Sequence, residues 1–373
     1  MKPDAQARDS VPGEAGSDDV RWRMPAEWEP HEATWISWPH HRDDWPGKFA
    51  AIEWVYAEIV RQLHHSELVR VLVNDDDAAK RAGRKLVSVG VDLARVEFIT
   101  IPTDRSWTRD YGPMFVKGAG GGVAVADWRF TGWAKYANWQ NDDAVAARAA
   151  ENLNLPVIKP AFHGQRVCLE GGAIDVNGHG LMLTTEECLL SEVQCRNPEL
   201  GQADLDGVFR EYLGIEKVIW LGAGIAGDDT HGHVDDIARF IDAGTIVAAR
   251  EPKVADANHA VLEENWDRLR SARNLEGRPL RIMELPMPEP VVFKGQRLPA
   301  SYANFYIAND RVLVPTFNDP NDRKALGILQ ELFPARQVVG IHAVDLVWGL
   351  GTIHCLTQQQ PRADGTARRQ TSE

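Results

Sequence analysis

Five residues of this chain could do chemistry together: Cys355, His233 and the carboxylates Asp110, Glu170 and Asp235. A Cys with a His makes an activated thiolate and an acid/base, and a carboxylate behind the His fixes its tautomer and supports its charged form. That uses one carboxylate. The remaining carboxylates exceed what such a hydrolase needs for an ordinary ester or amide. Paired carboxylates facing a planar cation are how a guanidinium is held, because its fork of donors matches their oxygens two at a time. The set therefore points to attack on a guanidinium carbon. Singly, each residue has an ordinary alternative: Asp110 after Arg109 as a surface ion pair, Glu170 as a turn carboxylate, His233 as a hydrogen-bonded core histidine, Cys355 as a buried structural thiol.

The surroundings of Cys355 allow the reactive reading without deciding it. A strand-like apolar run over residues 338–347 leads into Trp348-Gly349-Leu350-Gly351-Thr352-Ile353-His354-Cys355. The glycines would let the backbone approach a ligand closely, and Thr352, Thr357 and Gln358 offer hydrogen-bond partners. The other cysteines, Cys168, Cys188 and Cys195, have neither disulfide-framework nor zinc-ribbon spacing, so they are expected to be dispensable and the compartment reducing.

The elements that must position these residues recur. Residues 109–113 precede an extended run at 114–116, a glycine-rich turn and a second run at 123–126. Residues 169–172 precede runs at 173–176 and 181–184, residues 232–235 precede runs at 237–241 and 245–249, and residues 302–304 precede runs at 305–308 and 311–315. Each time a polar signature opens a β-hairpin, at intervals of roughly 50 to 70 residues, and Cys355 falls on the same interval. Helical periodicity at residues 49–63, 76–87, 142–153, 205–213, 256–273 and 322–333 lies between strand runs such as 68–73 and 96–101. The reading is an α/β fold of about five units. If they pack around an axis, each unit delivers its polar signature to one central spot.

Composition narrows the partners. A net charge of -13 over 373 residues lacks the concentrated basic face that nucleic acid or an anionic membrane requires, and it suits a small cation. With no secretory apolar region and no apolar run of about 18 residues, the cytoplasm is expected. Residues 1–20 read as a disordered leader, 21–361 as a single catalytic domain and 362–373 as a disordered tail. Five tryptophans and three histidines crowd residues 22–45, a density read as core or subunit packing, or as one wall of a site. A homodimer or homotetramer stays open.

Together the motifs MPAEWEPHEATWISWP, SWTRDYGP, LEGGAI, LMLTTEECLL, GHVDD and GTIHCLTQQQP, spanning residues 24–361, resemble the agmatine deiminases and the bacterial peptidyl-arginine deiminase-like family. These belong to the guanidino-group-modifying (pentein) superfamily, whose fold is a five-bladed pseudo-symmetric α/β propeller. The resemblance implies that Cys355 is the nucleophile, His233 the general acid/base, Glu170 its carboxylate partner, and Asp110 and Asp235 the guanidinium clamps. Trp107 and Arg109, within SWTRDYGP, are implied to touch substrate. It also implies no metal or organic cofactor. Two departures stand beside this set: the family usually reads GGGNIHC where this chain has GLGTIHC, changing Leu350 and Thr352, and DGHVDN where it has HGHVDD, changing His231 and Asp236. Weighed against deimination were a metal-dependent ureohydrolase using residues 228–236, a propeller that only binds, and an amidinotransferase or a hydrolase of methylated arginine.

Overall fold

The computed structural model describes residues 22–365; the expected leader, and the tail beyond Gly365, lie outside the described residues. Five sheets share one plan, an antiparallel pair followed through helix by a parallel third strand. Asp175–Val176 pairs with Leu181–Thr185, which pairs in parallel with Lys217–Leu221. Ala238–Phe240, Thr245–Arg250 and Arg281–Pro286 repeat it, as do Tyr306–Ile307, Arg311–Thr316 and Gln337–His342. Met114–Gly118, Val123–Ala126 and Val157–Ile158 form the same arrangement, with Trp22–Arg23 added at the edge. The remaining sheet joins the two ends of the described chain: Thr357–Pro361 pairs antiparallel with His31–Ser37, followed in parallel by Leu68–Val73 and Val96–Thr100.

Local sequence explains these elements. Leu68–Val73 is rich in β-branched and aliphatic residues and is buried along nearly its whole length, as a strand with neighbours on both sides must be. The helix Phe49–Leu63 buries Ile52, Tyr56, Ile59, Val60 and Leu63 at helical spacing, each of the aliphatic ones worth roughly 1.5 to 3 kcal/mol of transfer. Asp75 and Asp256 cap the helices Asp76–Ser88 and Ala257–Ser271 by accepting from Ala78 N and Asn258 N.

Three differences from the sequence reading have plain causes. The run at 338–347 is not one strand: it pairs only as far as His342, where its partner strand ends at Thr316, and Leu346–Gly349 is a 3₁₀ turn. The region 142–153 divides into Gln140–Asp143 and Val145–Leu153, with Ala144 between them. The third strands Lys217–Leu221 and Arg281–Pro286 are not among the strand runs read from the sequence: both are short and only partly buried, and in Arg281–Pro286 charged residues interrupt the apolar ones. Trp35, Trp38 and Trp45 of the tryptophan-rich stretch are buried in the main core. Arg362 and Asp364 are held to the body, Arg362 N donating to Pro30 O at 2.8 Å and Lys117 pairing with Asp364 at 3.0 Å. No helix among the described residues is long and apolar enough to cross a membrane.

What positions the site is the short segment that precedes the first strand of each unit. Thr108–Tyr111, Gly171–Ala173, Val234–Asp236, residues 301–304 and Ile353–Leu356 meet one another in cyclic order. The closure runs from Val234–Asp236 to residues 301–304 through Ser301 Oγ donating to Asp236 O at 2.7 Å, and on to the last segment through His354 N donating to Asn304 O at 3.2 Å.

Candidate active site

Each of these segments carries chemistry to the same place. Thr108–Tyr111 contributes Asp110, Glu170 precedes Gly171–Ala173, His233 precedes Val234–Asp236 with Asp235 inside it, and Cys355 lies in Ile353–Leu356. Cys355 Sγ is 3.7 Å from Asp235 Oδ2 and 3.2 Å from Asn304 Nδ2. Asp110 accepts from the Trp133 indole at 2.8 Å and from Gly172 N at 3.1 Å. His233 stands between carboxylates, Nδ1 3.7 Å from Asp110 and Nε2 3.5 Å from Glu170. A Cβ at Gly172 would fall 2.4 Å from His233 Nδ1, which is why the signature needs glycine there.

The partners are unequal in a way that matters for chemistry. Glu170 is fixed by Arg196, whose Nε lies 3.2 Å from both carboxylate oxygens. Asp235 Oδ2 is held by His354 Nδ1 at 2.7 Å, and His354 Nε2 meets Glu27 at 2.8 Å. Asp235 Oδ1 and both nitrogens of His233, by contrast, are buried without a hydrogen-bond partner. Orphaned buried polar atoms typically cost about 1 to 3 kcal/mol each, so a cluster of them beside a thiol marks a place built for a polar ligand.

Electrostatics set the resting state. Burial pushes the Cys355 thiol well up, and Asp235, Asp236 and Asp110 push in the same direction. Burial raises Asp110 to about 6, with Asp235 and Glu170 adding and His233 opposing. For His233 burial lowers, but Asp110, Cys188 and Glu170 outweigh it and hold the imidazole charged well above its usual range. For Asp235 burial raises, but the His354 hydrogen bond and charge prevail and keep it ionised. For Glu170 burial is likewise outweighed, chiefly by Arg196. The free site thus holds a neutral thiol, a charged imidazole and an excess of carboxylates.

Cys355 and Asp110 open onto a cavity of about 320 Å³. Trp107, Trp133, Tyr136 and Trp348 form aromatic walls, and Asp43, Asp44 and Asp229 line it as well. Asp44 is engaged by Arg105, and Asp229 by the Lys135 ammonium and by the Tyr136 hydroxyl at 2.6 Å. The cavity is aromatic and acidic, with a thiol and a cation-accepting carboxylate at one end.

Residues 23–361 match the Porphyromonas-type peptidyl-arginine deiminases. The chain belongs to that family. Among its curated relatives is the agmatine deiminase of Stutzerimonas stutzeri, 35% identical over 362 residues that cover 91% of this chain and 95% of the relative. The structure of an agmatine deiminase of Enterococcus faecalis superposes with a TM-score of 0.84 at 31% identity, covering 94% of this chain and 99% of that one. An agmatine deiminase of C. jejuni with substrate bound superposes with a TM-score of 0.82 at 27% identity, covering 94% and 99%. The α/β fold is that of these enzymes.

Several sequence expectations need correction within this family site. Arg109 does not reach the cavity: its guanidinium donates to His354 O at 3.2 Å and Gln359 Oε1 at 2.8 Å and pairs with Glu27 at 3.4 Å, so it braces the segment that carries Cys355. Trp107 does line the cavity. The glycines beside Cys355 make room for indoles rather than for ligand: a Cβ at Gly349 would lie 2.4 Å from Trp45 Nε1, and one at Gly351 2.7 Å from the Trp107 ring. Cys188 is no bystander either, since its sulfur lies with Glu170 and His233 in a group whose candidate ligand atoms are all within 4.8 Å of one another. Those residues have the donor types of a metal site, but the Arg196 guanidinium already occupies both Glu170 oxygens, and a metal ion would have to displace a cation.

Sequence reasoning missed Glu27, His354, Arg196 and Arg239. Glu27 gathers His354, Arg239 at 2.9 Å, Arg109 and Ile307 N at 2.7 Å, so one buried carboxylate ties together four units. Of the departures, Thr352 Oγ1 donates to Asn304 Oδ1 at 2.7 Å and His231 rests against Ser191 at 3.1 Å, outside the cavity wall. Asp236 is buried beside Asp235, and burial, Asp235 and Asp228 push its carboxyl well up. Leu350 alone of the four lines the cavity.

Proposed function

We propose that the chain hydrolyses agmatine to N-carbamoylputrescine and ammonia through a covalent amidino-cysteine, and that its five units are the blades of a propeller whose axis runs through the ring of polar segments. The relatives named above support the substrate, and the cyclic meeting of the five segments supports the architecture. The observation that carries the chemistry is the placement of Cys355 Sγ 3.7 Å from Asp235, with Asp110 lining the same acidic cavity and the charged His233 3.7 Å behind Asp110. Four unpaired thiols fit action in a reducing cytoplasm. Within residues 22–361 it is one catalytic domain.

Each step follows from the site. The substrate guanidinium enters between Asp110 and Asp235, and Asp235 Oδ1 gains the donor it lacks. The arriving positive charge offsets the carboxylates that hold the Cys355 thiol neutral, so the thiol gives up its proton to solvent and the thiolate forms when there is something to attack. Sulfur adds to the guanidinium carbon, giving a tetrahedral adduct. His233 supplies the proton with which ammonia departs, and the carbon remains bonded to sulfur as an S-alkylthiouronium. The now neutral His233 removes a proton from water, the hydroxide adds to the same carbon, and the C–S bond breaks as the adduct's hydroxyl proton passes to the departing sulfur, releasing the ureido product and restoring the thiol. Glu170, neutralised by Arg196, keeps the imidazole oriented without taking its proton. Asp229 already binds an ammonium, that of Lys135, and an amine at the far end of the substrate is the same chemistry.

The test is ammonia release from agmatine, arginine, methylated arginine and an arginine peptide assayed side by side. Agmatine should exceed free arginine by at least roughly tenfold in kcat/KM, because arginine carries a carboxylate into an acidic cavity. Equal rates, or a preference for arginine or the peptide, would refute agmatine and leave the deiminase chemistry standing.

The pH profile offers a separate check on the clamp. Asp110 must be ionised to hold a guanidinium, and in the free protein it is raised to about 6, so kcat/KM should fall about tenfold per pH unit below about pH 6. The sign is that of an acid whose charged form is needed: activity is lost as pH falls. Asp110→Asn should be slow at every pH and lack this limb. An unchanged acid limb in that variant would assign it to another group.

A further inference from the structure

Leu350 has a backbone conformation that its side chain opposes. It ends the 3₁₀ turn Leu346–Gly349 with φ 70° and ψ 27°, the left-handed region where a Cβ crowds the following carbonyl and where chains ordinarily place glycine. The agmatine deiminase motif has glycine at this position. Its neighbours Gly349 and Gly351 abut the indoles of Trp45 and Trp107 and carry no side chain, so within Gly-Leu-Gly the Leu350 side chain is the only one available to the cavity, and it lines it together with Cys355. Among the described residues that line the cavity the other side chains are aromatic, polar or charged, apart from the ring of Pro46. A left-handed non-glycine residue that lines a cavity is an outlier that motivates a functional hypothesis for its side chain.

We propose that Leu350 is a specificity-determining residue, its isobutyl group covering the aliphatic linker of the guanidino substrate and narrowing the cavity against guanidines substituted along that linker. The inference rests on the agmatine reading. Agmatine has a charged group at each end and four methylenes between them, and the cavity has carboxylates for the charges. Leu350 supplies apolar surface for the methylenes. The α-carboxylate and amine of arginine branch from that same linker, so the side chain that shields methylenes also crowds the branch.

The experiment compares wild type with Leu350→Gly and Leu350→Met. Leu350→Gly relieves the backbone and should melt at the wild-type temperature or above it, yet kcat/KM for agmatine should fall about tenfold, mainly through KM. About two methylenes of lost contact correspond to that factor. Its ratio of arginine to agmatine turnover should rise, while Leu350→Met, apolar and of similar volume, should keep the wild-type ratio. A drop in melting temperature with unchanged kinetics would make Leu350 a packing residue and overturn the proposal, as would agmatine kinetics within twofold of wild type. If wild type itself is inactive on agmatine, the agmatine reading fails on that measurement alone. The same comparison made on the guanidino compound it does turn over then decides the role of Leu350, and an unchanged KM in Leu350→Gly would again overturn it.

Discussion

Replacing Cys355 by Ser should abolish turnover, by at least about 10⁴-fold, while leaving the melting temperature and oligomeric state as they are. Ser is nearly isosteric and can keep the contact with Asn304 Nδ2, at 3.2 Å in the native protein, so little in the packing changes. Its hydroxyl, however, is far harder to ionise than a thiol, and an anion is already disfavoured at this point by burial and by Asp235, Asp236 and Asp110. Cys168→Ser and Cys195→Ser are the controls expected to retain activity. Cys188→Ser is not a fair control, because its sulfur lies against His233 and Glu170. Mass spectrometry of wild type quenched during turnover should show an amidino adduct on the peptide containing Cys355. Near-native rates in the Ser variant would remove Cys355 from the mechanism.

The reach of the sequence in this protein follows the range of the interactions involved. Residues 49–63 and 68–73 could be read as helix and strand with their observed ends, since a helix buries one stripe and a central strand buries both faces, and each leaves its period in the composition. The chemical set was legible for a similar reason: its carboxylates and His233 head hairpins that recur, and Cys355 falls on the same interval. What the chain conceals is the bracing. Glu27 and His354 meet at 2.8 Å although 327 residues separate them, and no local pattern announces such a pair. Adjacency misled in the case of Arg109. It follows Thr108 and precedes Asp110 in a single helical turn, where consecutive side chains point about 100° apart, so when Asp110 faces the cavity its neighbour faces the segment behind. The glycines near Cys355 had a real cause, close approach, but what approaches is Trp45 and Trp107.

Asp235→Asn should separate two effects that the native site balances against each other. The carboxylate offers Oδ1 to the substrate, and losing a charged partner from a desolvated cation costs about 2 to 5 kcal/mol, which is roughly 30-fold to several thousand-fold in kcat/KM. The same carboxylate lies 3.7 Å from Cys355 Sγ and is, after burial, the leading cause that holds the thiol in its neutral form. Removing its charge therefore lowers the thiol's resistance to ionisation, and more thiolate is present in the free protein at a given pH. Iodoacetamide should accordingly alkylate Cys355 faster in Asp235→Asn than in wild type, even as agmatine turnover collapses. An aspartate that only maintained packing through His354 would, when changed, slow both reactions or neither. If alkylation and turnover fall together, Asp235 positions the segment and does not hold the cation; if alkylation accelerates while turnover is lost, the clamp that binds the guanidinium is also the charge that keeps the nucleophile quiet until the guanidinium arrives.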